Sequence, residues 1–316
     1  MISRWIILLF IVSIPQGQDV IGEGLYGDEL IEFLKENYET NTTLGYTNAR
    51  DTLYMKIDRI DGQVMGVYTN YAVNLPATGV DPSTHLYENG MNCEHVWPQS
   101  LYEGVEPMKS DMHALRPCKE NVNSVRGNKP FNEINDFQTT TWYWQDSQTS
   151  NIPSSNIDEY SENHGTYFEP REDRKGDVAR TIFYFYTMYS NMADEDFFEI
   201  QKEVLQIWHA EDPVDANGIA RTWQISEYQE NKPNPFILDE TLVERAYFYE
   251  ECILGDLNGD SGLNVLDIVL LVNCVLANNC TDLPNGCEGD MNGDNGYNVL
   301  DVVILANCAL EGNCFP

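Results

Sequence analysis

Residues 92–100 read Asn92-Cys93-Glu94-His95-Val96-Trp97-Pro98-Gln99-Ser100, and they join a carboxylate, an imidazole and a chain-breaking proline within seven positions. On a regular strand Glu94 and His95 point to opposite faces. They serve one site only where the strand ends or bends, and Pro98 supplies such an ending. Downstream, Ser110-Asp-Met-His-Ala-Leu-Arg-Pro117 leads into Val122-Asn-Ser-Val-Arg-Gly-Asn-Lys-Pro-Phe131. The second segment predicts a helix after Pro117 that brings Asn123 back against the strand. A bridge between Cys93 and Cys118 is expected to pin the two pieces together.

These residue types suit phosphodiester hydrolysis, which needs a base for water and a cation for the charge growing on phosphorus. A neutral histidine is a base suited to neutral pH. A carboxylate with an amide oxygen can hold a hard Mg²⁺ that keeps most of its waters. Arginine matches phosphate oxygens geometrically, which makes Arg116 and Arg126 candidates for steadying the scissile phosphate. A core salt bridge is the alternative for Arg126.

The order of the segments resembles the bacterial endonuclease I family, with Glu-His-x-x-Pro, then the Asp111-Met-His stretch, then Val122-Asn-x-x-Arg-x-Asn128. The resemblance continues through Phe168-Glu-Pro-Arg171, Lys175-Gly-Asp-Val-Ala-Arg180 and Trp208-His-Ala-Glu-Asp-Pro-Val214, and ends at Asn234-Pro-Phe236. It implies an α+β domain with a ββα-metal (His-Me finger) core. It also implies His95 as general base and one Mg²⁺ held by Glu94 and Asn123. Ala114 stands where the family commonly has an asparagine that helps orient the histidine. His113 beside it reads as a structural residue.

Elsewhere, Asp28–Tyr38 predicts an amphipathic helix and Tyr54–Tyr71 a hairpin turning at Asp61-Gly62. Residues 132–166 read as a polar surface excursion. Asp177–Met192 predicts a buried helix and Phe197–Trp208 another. Arg4 followed by the apolar run Trp5–Ile14 predicts a signal peptide over 1–17, since that run falls short of the roughly 20 residues that span a bilayer. A membrane anchor is the alternative. The division expected is 18–250 for the catalytic domain and 251–316 for a tail.

The tail is an internal repeat: residues 255–280 and 289–314 are identical at 17 of 26 positions. Oxygen-bearing side chains fall at loop positions 1, 3, 5, 9 and 12. They are Asp256, Asn258, Asp260, Asn264 and Asp267, then Asp290, Asn292, Asp294, Asn298 and Asp301. With a backbone carbonyl from Gly262 or Gly296, this is EF-hand-like spacing for two Ca²⁺ ions. Position 6, ordinarily glycine, is Ser261 or Asn295. The pair resembles a type I dockerin, a small all-α module, which implies a cohesin-like partner. Eight cysteines in an exported chain suggest disulfides. Each repeat holds three, so at least one bridge must leave its own repeat.

The net charge of −33 argues against nucleic-acid binding until its distribution is considered. Between Glu94 and Phe131 five acidic residues balance five basic ones, whereas Gly255–Pro316 carries nine acids and no lysine or arginine. The expectation is a secreted or periplasmic endonuclease acting on DNA, with RNA left open, through backbone contacts and little sequence preference. No membrane partner is expected once the leader is removed. The alternative is a catalytically inactive nuclease-like binding protein displayed by a calcium-dependent module.

Overall fold

The computed structural model describes residues 20–249, 253–260, 262–283 and 285–311. The expected leader, Cys252, Ser261 and Cys314 lie outside the described residues. The chain divides into two compact units, Met1–Phe248 and Tyr249–Pro316. No helix among the described residues is long and apolar enough to cross a membrane.

The first unit mixes helices with three small antiparallel sheets, an α+β arrangement. Helix α1 (Gly27–Tyr38) buries Leu30 and Leu34 on one face, with Asp28 and Glu29 in its first turn and Lys35 in its last, as the helix dipole favours. Helix α2 (Tyr46–Thr52) runs on into a π-helical turn, Leu53–Ile57. Strands β1 (Arg59–Ile60) and β2 (Gln63–Met65) meet at Asp61 and Gly62, whose φ of 51° and 84° form the expected tight turn, and β3 (Ala72–Asn74) completes that sheet. Between β2 and β3, Val67 donates to the Pro117 carbonyl at 2.9 Å. A Cβ on neighbouring Gly66 would stand 3.2 Å from the Lys119 nitrogen, so the close approach suits glycine. Helix α3 (Pro82–Glu88) begins with Asp81 as side-chain cap and proline in the first turn.

The central piece is the ribbon of β4 (Met91–His95) and β5 (Leu115–Lys119), which runs straight into α4 (Glu120–Arg126). Their register pairs Asn92 with Cys118, Cys93 with Pro117, Glu94 with Arg116 and His95 with Leu115. The ribbon separates two hydrophobic clusters. Cys118, Tyr68, Trp97, Val122 and Phe131 belong to one; Cys93, Tyr54, Met112 and Leu115 belong to the other.

Residues 132–166, expected as a loose excursion, supply most of a four-stranded sheet. Its strands are β6 (Thr141–Trp144), β7 (Ser147–Thr149), β8 (Ser161–Asn163) and β9 (Phe168–Glu169), in the order β7-β6-β8-β9. It is tied to the rest by the Ser161 hydroxyl, which donates to the Tyr68 carbonyl at 2.6 Å. Helix α5 (Lys175–Tyr189) is buried on nearly every side. The expected helix 197–208 is two, α6 (Glu195–Glu199) and α7 (Lys202–Glu211), followed by α8 (Ala216–Ser226), α9 (Pro235–Leu238) and α10 (Leu242–Tyr247).

The second unit places α11 (Val265–Ala277) and α12 (Val299–Glu311) after its two loops. Leu257, Leu271, Cys274, Cys280 and Leu305 form its core, and a disulfide joins Cys274 to Cys280. Cys287 and Cys308 are disulfide-bonded as well.

Candidate functional site

Strand β4 ends at His95, where the sequence required an ending. Glu94 is 2% exposed. Its Oε1 accepts the Tyr68 hydroxyl at 2.7 Å and stands 3.4 Å from Arg126 Nη1. Oε2 takes no hydrogen bond among the described residues. Burial raises the Glu94 pKa, against the pull of Arg126 and Tyr68. Asn123 reaches back from α4: its Nδ2 donates to Asn92 Oδ1 at 2.8 Å and to the Cys93 carbonyl at 3.1 Å. Both donor hydrogens are thereby committed, and Oδ1 accepts nothing among the described residues. A carboxylate oxygen and an amide oxygen thus remain as hard donors along one strand and the helix behind it, a set that fits a hydrated Mg²⁺.

His95 turns away from Glu94. Its Nε2 lies 3.0 Å from the Lys109 carbonyl, so Nε2 carries the hydrogen, and Gln99 Nε2 donates to Nδ1 at 2.9 Å. The ring of Tyr46 packs on the imidazole at 5.2 Å between centroids. Burial pushes the imidazole pKa down to about 4; the Lys109 carbonyl opposes this, and the Lys109 and Arg50 charges reinforce it. The histidine is therefore neutral at pH 7, with the Gln99 side-chain amide as the hydrogen-bond partner of its basic nitrogen among the described residues.

Two expectations, on Arg126 and the cysteine pair, require correction, and that on Arg116 stays open. Arg126 is fully buried, with Nη2 donating to the Val96 carbonyl at 2.6 Å and Nη1 to the His95 and Gly127 carbonyls at 3.3 and 3.2 Å. With Glu94 at 3.4 Å it is the core salt bridge, and its guanidinium has no path to a phosphate. Arg116 lines a cavity of about 680 Å³ with Asp58, Arg174, Asp177 and Arg221, among whose lining residues Glu94, His95 and Asn123 do not occur. Burial and the repulsion of Arg221 push its pKa down to about 10. Cys93 and Cys118 are free, buried thiols. In an antiparallel pair, directly opposed residues share a face. Cys118 opposes Asn92, not Cys93, so the two sulfurs point into different clusters.

The reading of Asp177 as a helix residue agrees with its surroundings: despite burial, Arg116, Arg174 and Arg180 draw it down to about 2. His113 is structural. Its Nε2 meets the Lys232 carbonyl at 3.0 Å and its ring packs edge-on to Tyr184. Ala114 costs His95 no contact here, because the Lys109 carbonyl and Gln99 orient the ring instead. Tyr46, Arg50, Gln99 and Lys109 were not anticipated. The one sequence signal was the i, i+4 spacing of Tyr46 and Arg50; Lys109 works through its backbone, which side-chain identity does not report.

Both tail loops repeat one hydrogen-bond pattern. Asp267 accepts the backbone N–H of Asn258 at 3.1 Å and of Asn264 at 2.9 Å, and Asp301 accepts those of Asn292 and Asn298 at 3.3 and 2.9 Å. Asp256 and Asp290 each accept the N–H four residues on, at 3.1 Å. Asn295 takes the left-handed conformation, φ 62°, that a loop at this position demands. Among the described residues no three His, Cys, Asp or Glu side chains gather as a ready metal cluster. Amide and backbone oxygens would have to complete any cation donor set in these loops, as their mixture of Asp, Asn and Gly allows.

A model of the Endonuclease I family matches residues 27–240, and one of the dockerin type I domain matches 254–309. An extracellular ribonuclease of Bacillus subtilis (strain 168) is 28% identical over 234 residues, 68% of this chain and 73% of that protein. An extracellular ribonuclease of Bacillus amyloliquefaciens is 31% identical over 161 residues, 46% of this chain and 50% of that protein. Matched over more than half its length, this chain belongs to the endonuclease I family of nucleases and continues into a type I dockerin domain.

Proposed function

We propose that this nuclease is a secreted, magnesium-dependent endonuclease that hydrolyses internal phosphodiester bonds of DNA and RNA with little sequence preference. The ββα unit of β4, β5 and α4 is its catalytic core. The observation that carries the reading is the His95 tautomer. With Nε2–H given to the Lys109 carbonyl, the Nδ1 lone pair is the ring's basic position, and the low imidazole pKa keeps it free of a proton. In the step proposed, water displaces the Gln99 amide and gives its proton to Nδ1 while its oxygen bonds to phosphorus. The bond from phosphorus to the leaving oxygen breaks, and that oxygen takes a proton from solvent. Glu94 and Asn123 would hold one Mg²⁺, which supplies positive charge to the phosphorane and the leaving oxygen. Arg126 positions: it fixes the His95 and Val96 carbonyls and opposes the rise that burial imposes on the Glu94 pKa.

The extracellular ribonucleases named above support secretion and RNA as a substrate. The tail would take two Ca²⁺ ions, one on Asp256, Asn258, Asp260, Gly262, Asn264 and Asp267 and one on the matching set from Asp290 to Asp301. It would then dock onto a cohesin-like protein. The faces of α11 and α12 left exposed, Val265 and Leu266 at 65% and 58% and Val299 and Leu300 at 67% and 58%, support such docking. Plasmid nicking and RNA cleavage with added Mg²⁺ test the catalytic reading. His95→Ala is expected to lower kcat by about 10²–10⁴-fold, and wild-type rates in that variant would remove His95 as the base.

A further inference from the structure

Two cations converge on the His95 side of the site. Arg50 comes from α2 and Lys109 from the 3₁₀ turn Met108–Ser110. The Arg50 guanidinium lies 4.5 Å and the Lys109 ammonium 5.5 Å from the centroid of the Tyr46 ring, which itself packs on His95. Neither has a carboxylate within ion-pair distance among the described residues. In a chain with 51 acids against 18 lysines and arginines, such a pair of cations is conspicuous, since most of the others are ion-paired. Asp81, within electrostatic reach of Arg50, forms no ion pair with it. Among the described residues the buried Arg50 Nε hydrogen has no acceptor, as is also true of Arg126 and Arg180; here it adds to the two unpaired charges.

An anion seated between these groups would satisfy the Arg50 fork and neutralise both charges at once. Arginine and lysine beside an aromatic ring suit a phosphodiester. They flank the Tyr46 ring that packs on the imidazole, whereas Arg126 is buried beneath the site. We infer that Arg50 and Lys109 form a clamp for the nucleic-acid backbone, holding a phosphate against the His95 face of the site. The assignment rests on the endonuclease reading for its ligand, but not on His95 being the base.

Binding separates the two. A short phosphorothioate oligonucleotide, labelled for anisotropy, is titrated against the full chain in calcium buffer at several salt concentrations. Each phosphate contact adds a slope of about −0.7 on single strands to the plot of log K against log salt. Arg50→Gln and Lys109→Gln are each expected to weaken binding about tenfold and to flatten that slope by about one contact. Arg50→Lys should recover part of the affinity, and Lys56→Gln, whose ammonium lies over Tyr228, should change neither quantity. Unchanged affinity and slope in Lys109→Gln and in a folded Arg50 variant would overturn the clamp. That result would leave His95 untouched, because the loss of cleavage in His95→Ala is read separately.

Discussion

Replacing Arg126 with alanine removes a fully buried guanidinium that serves four partners: the Glu94 carboxylate and the carbonyls of His95, Val96 and Gly127. Breaking one side of a buried ion pair costs about 3–5 kcal/mol, because the remaining charge stays in a poorly solvating environment. Of the orphaned carbonyls, His95 ends β4, Val96 follows it and Gly127 caps α4, so the damage falls where the strand and the helix border the site. For a domain of this size each kcal/mol corresponds to about 2–4 °C in Tm, so the variant should melt about 6–20 °C below wild type. Glu94 would lose the charge that opposes its burial, so it should take up a proton more readily and the activity of the folded fraction should fall with it. Arg126→Lys keeps one charge without the planar fork and should lie between the two. Thermal and urea unfolding report the stability, and cleavage rates below the melt report the activity. An Arg126→Ala protein as stable as wild type, but with a raised KM, would refute the reasoning and restore Arg126 to the phosphate.

Acid should destabilise the first unit partly through His209, which burial holds down to about 4 against the hydrogen bond to Glu240. The unfolded histidine titrates near 6.5, so its contribution is fully present above that pH and is lost as pH falls toward 4. His209→Gln should therefore flatten the decline of the urea midpoint between pH 6.5 and 4; parallel curves would contradict this. Calcium removal with EGTA should lower the melting transition of the tail, since each ion contributes about 2.7 kcal/mol at a hundred times its dissociation constant, and an unaltered transition would argue against the loops as calcium sites. Cys93 and Cys118 should resist thiol reagents in the native protein and react once it is denatured; burial already pushes the Cys93 thiol up to about 12. A Cys93–Cys118 cross-linked peptide in a digest would contradict the register of the ribbon.

What could be read from sequence divides along physical lines. The dockerin tail was legible because its loop residues are contiguous and their spacing is written twice. The end of β4 and the helix carrying Asn123 were legible because Pro98 and Pro117 limit what the backbone can do around them. The roles of Arg116 and Arg126 were not. Both are arginines near the motif, and only burial and register decide which meets a carbonyl and which a cavity. The cysteine pairing failed for a similar reason, since one residue of register decides which face of a ribbon a side chain occupies. The sheet in 132–166 stayed hidden because its strands are two to four residues long and two of them, β7 and β8, are wholly polar; it depends on partners such as Tyr68, distant in sequence. The break between α6 and α7 falls at Ile200–Gln201, where the buried Gln201 side chain bonds the Phe197 carbonyl and the Phe131 N–H. An apolar period that continues across the break conceals it.

A crystal structure of the nuclease domain with Mg²⁺ and an uncleaved oligonucleotide tests the central claim most directly. The account predicts an ion about 2.0–2.1 Å from Glu94 Oε2 and Asn123 Oδ1, with a water lying between the phosphorus and His95 Nδ1. An ion bound elsewhere, or an imidazole that still faces away from the phosphate with Gln99 in place, would contradict it.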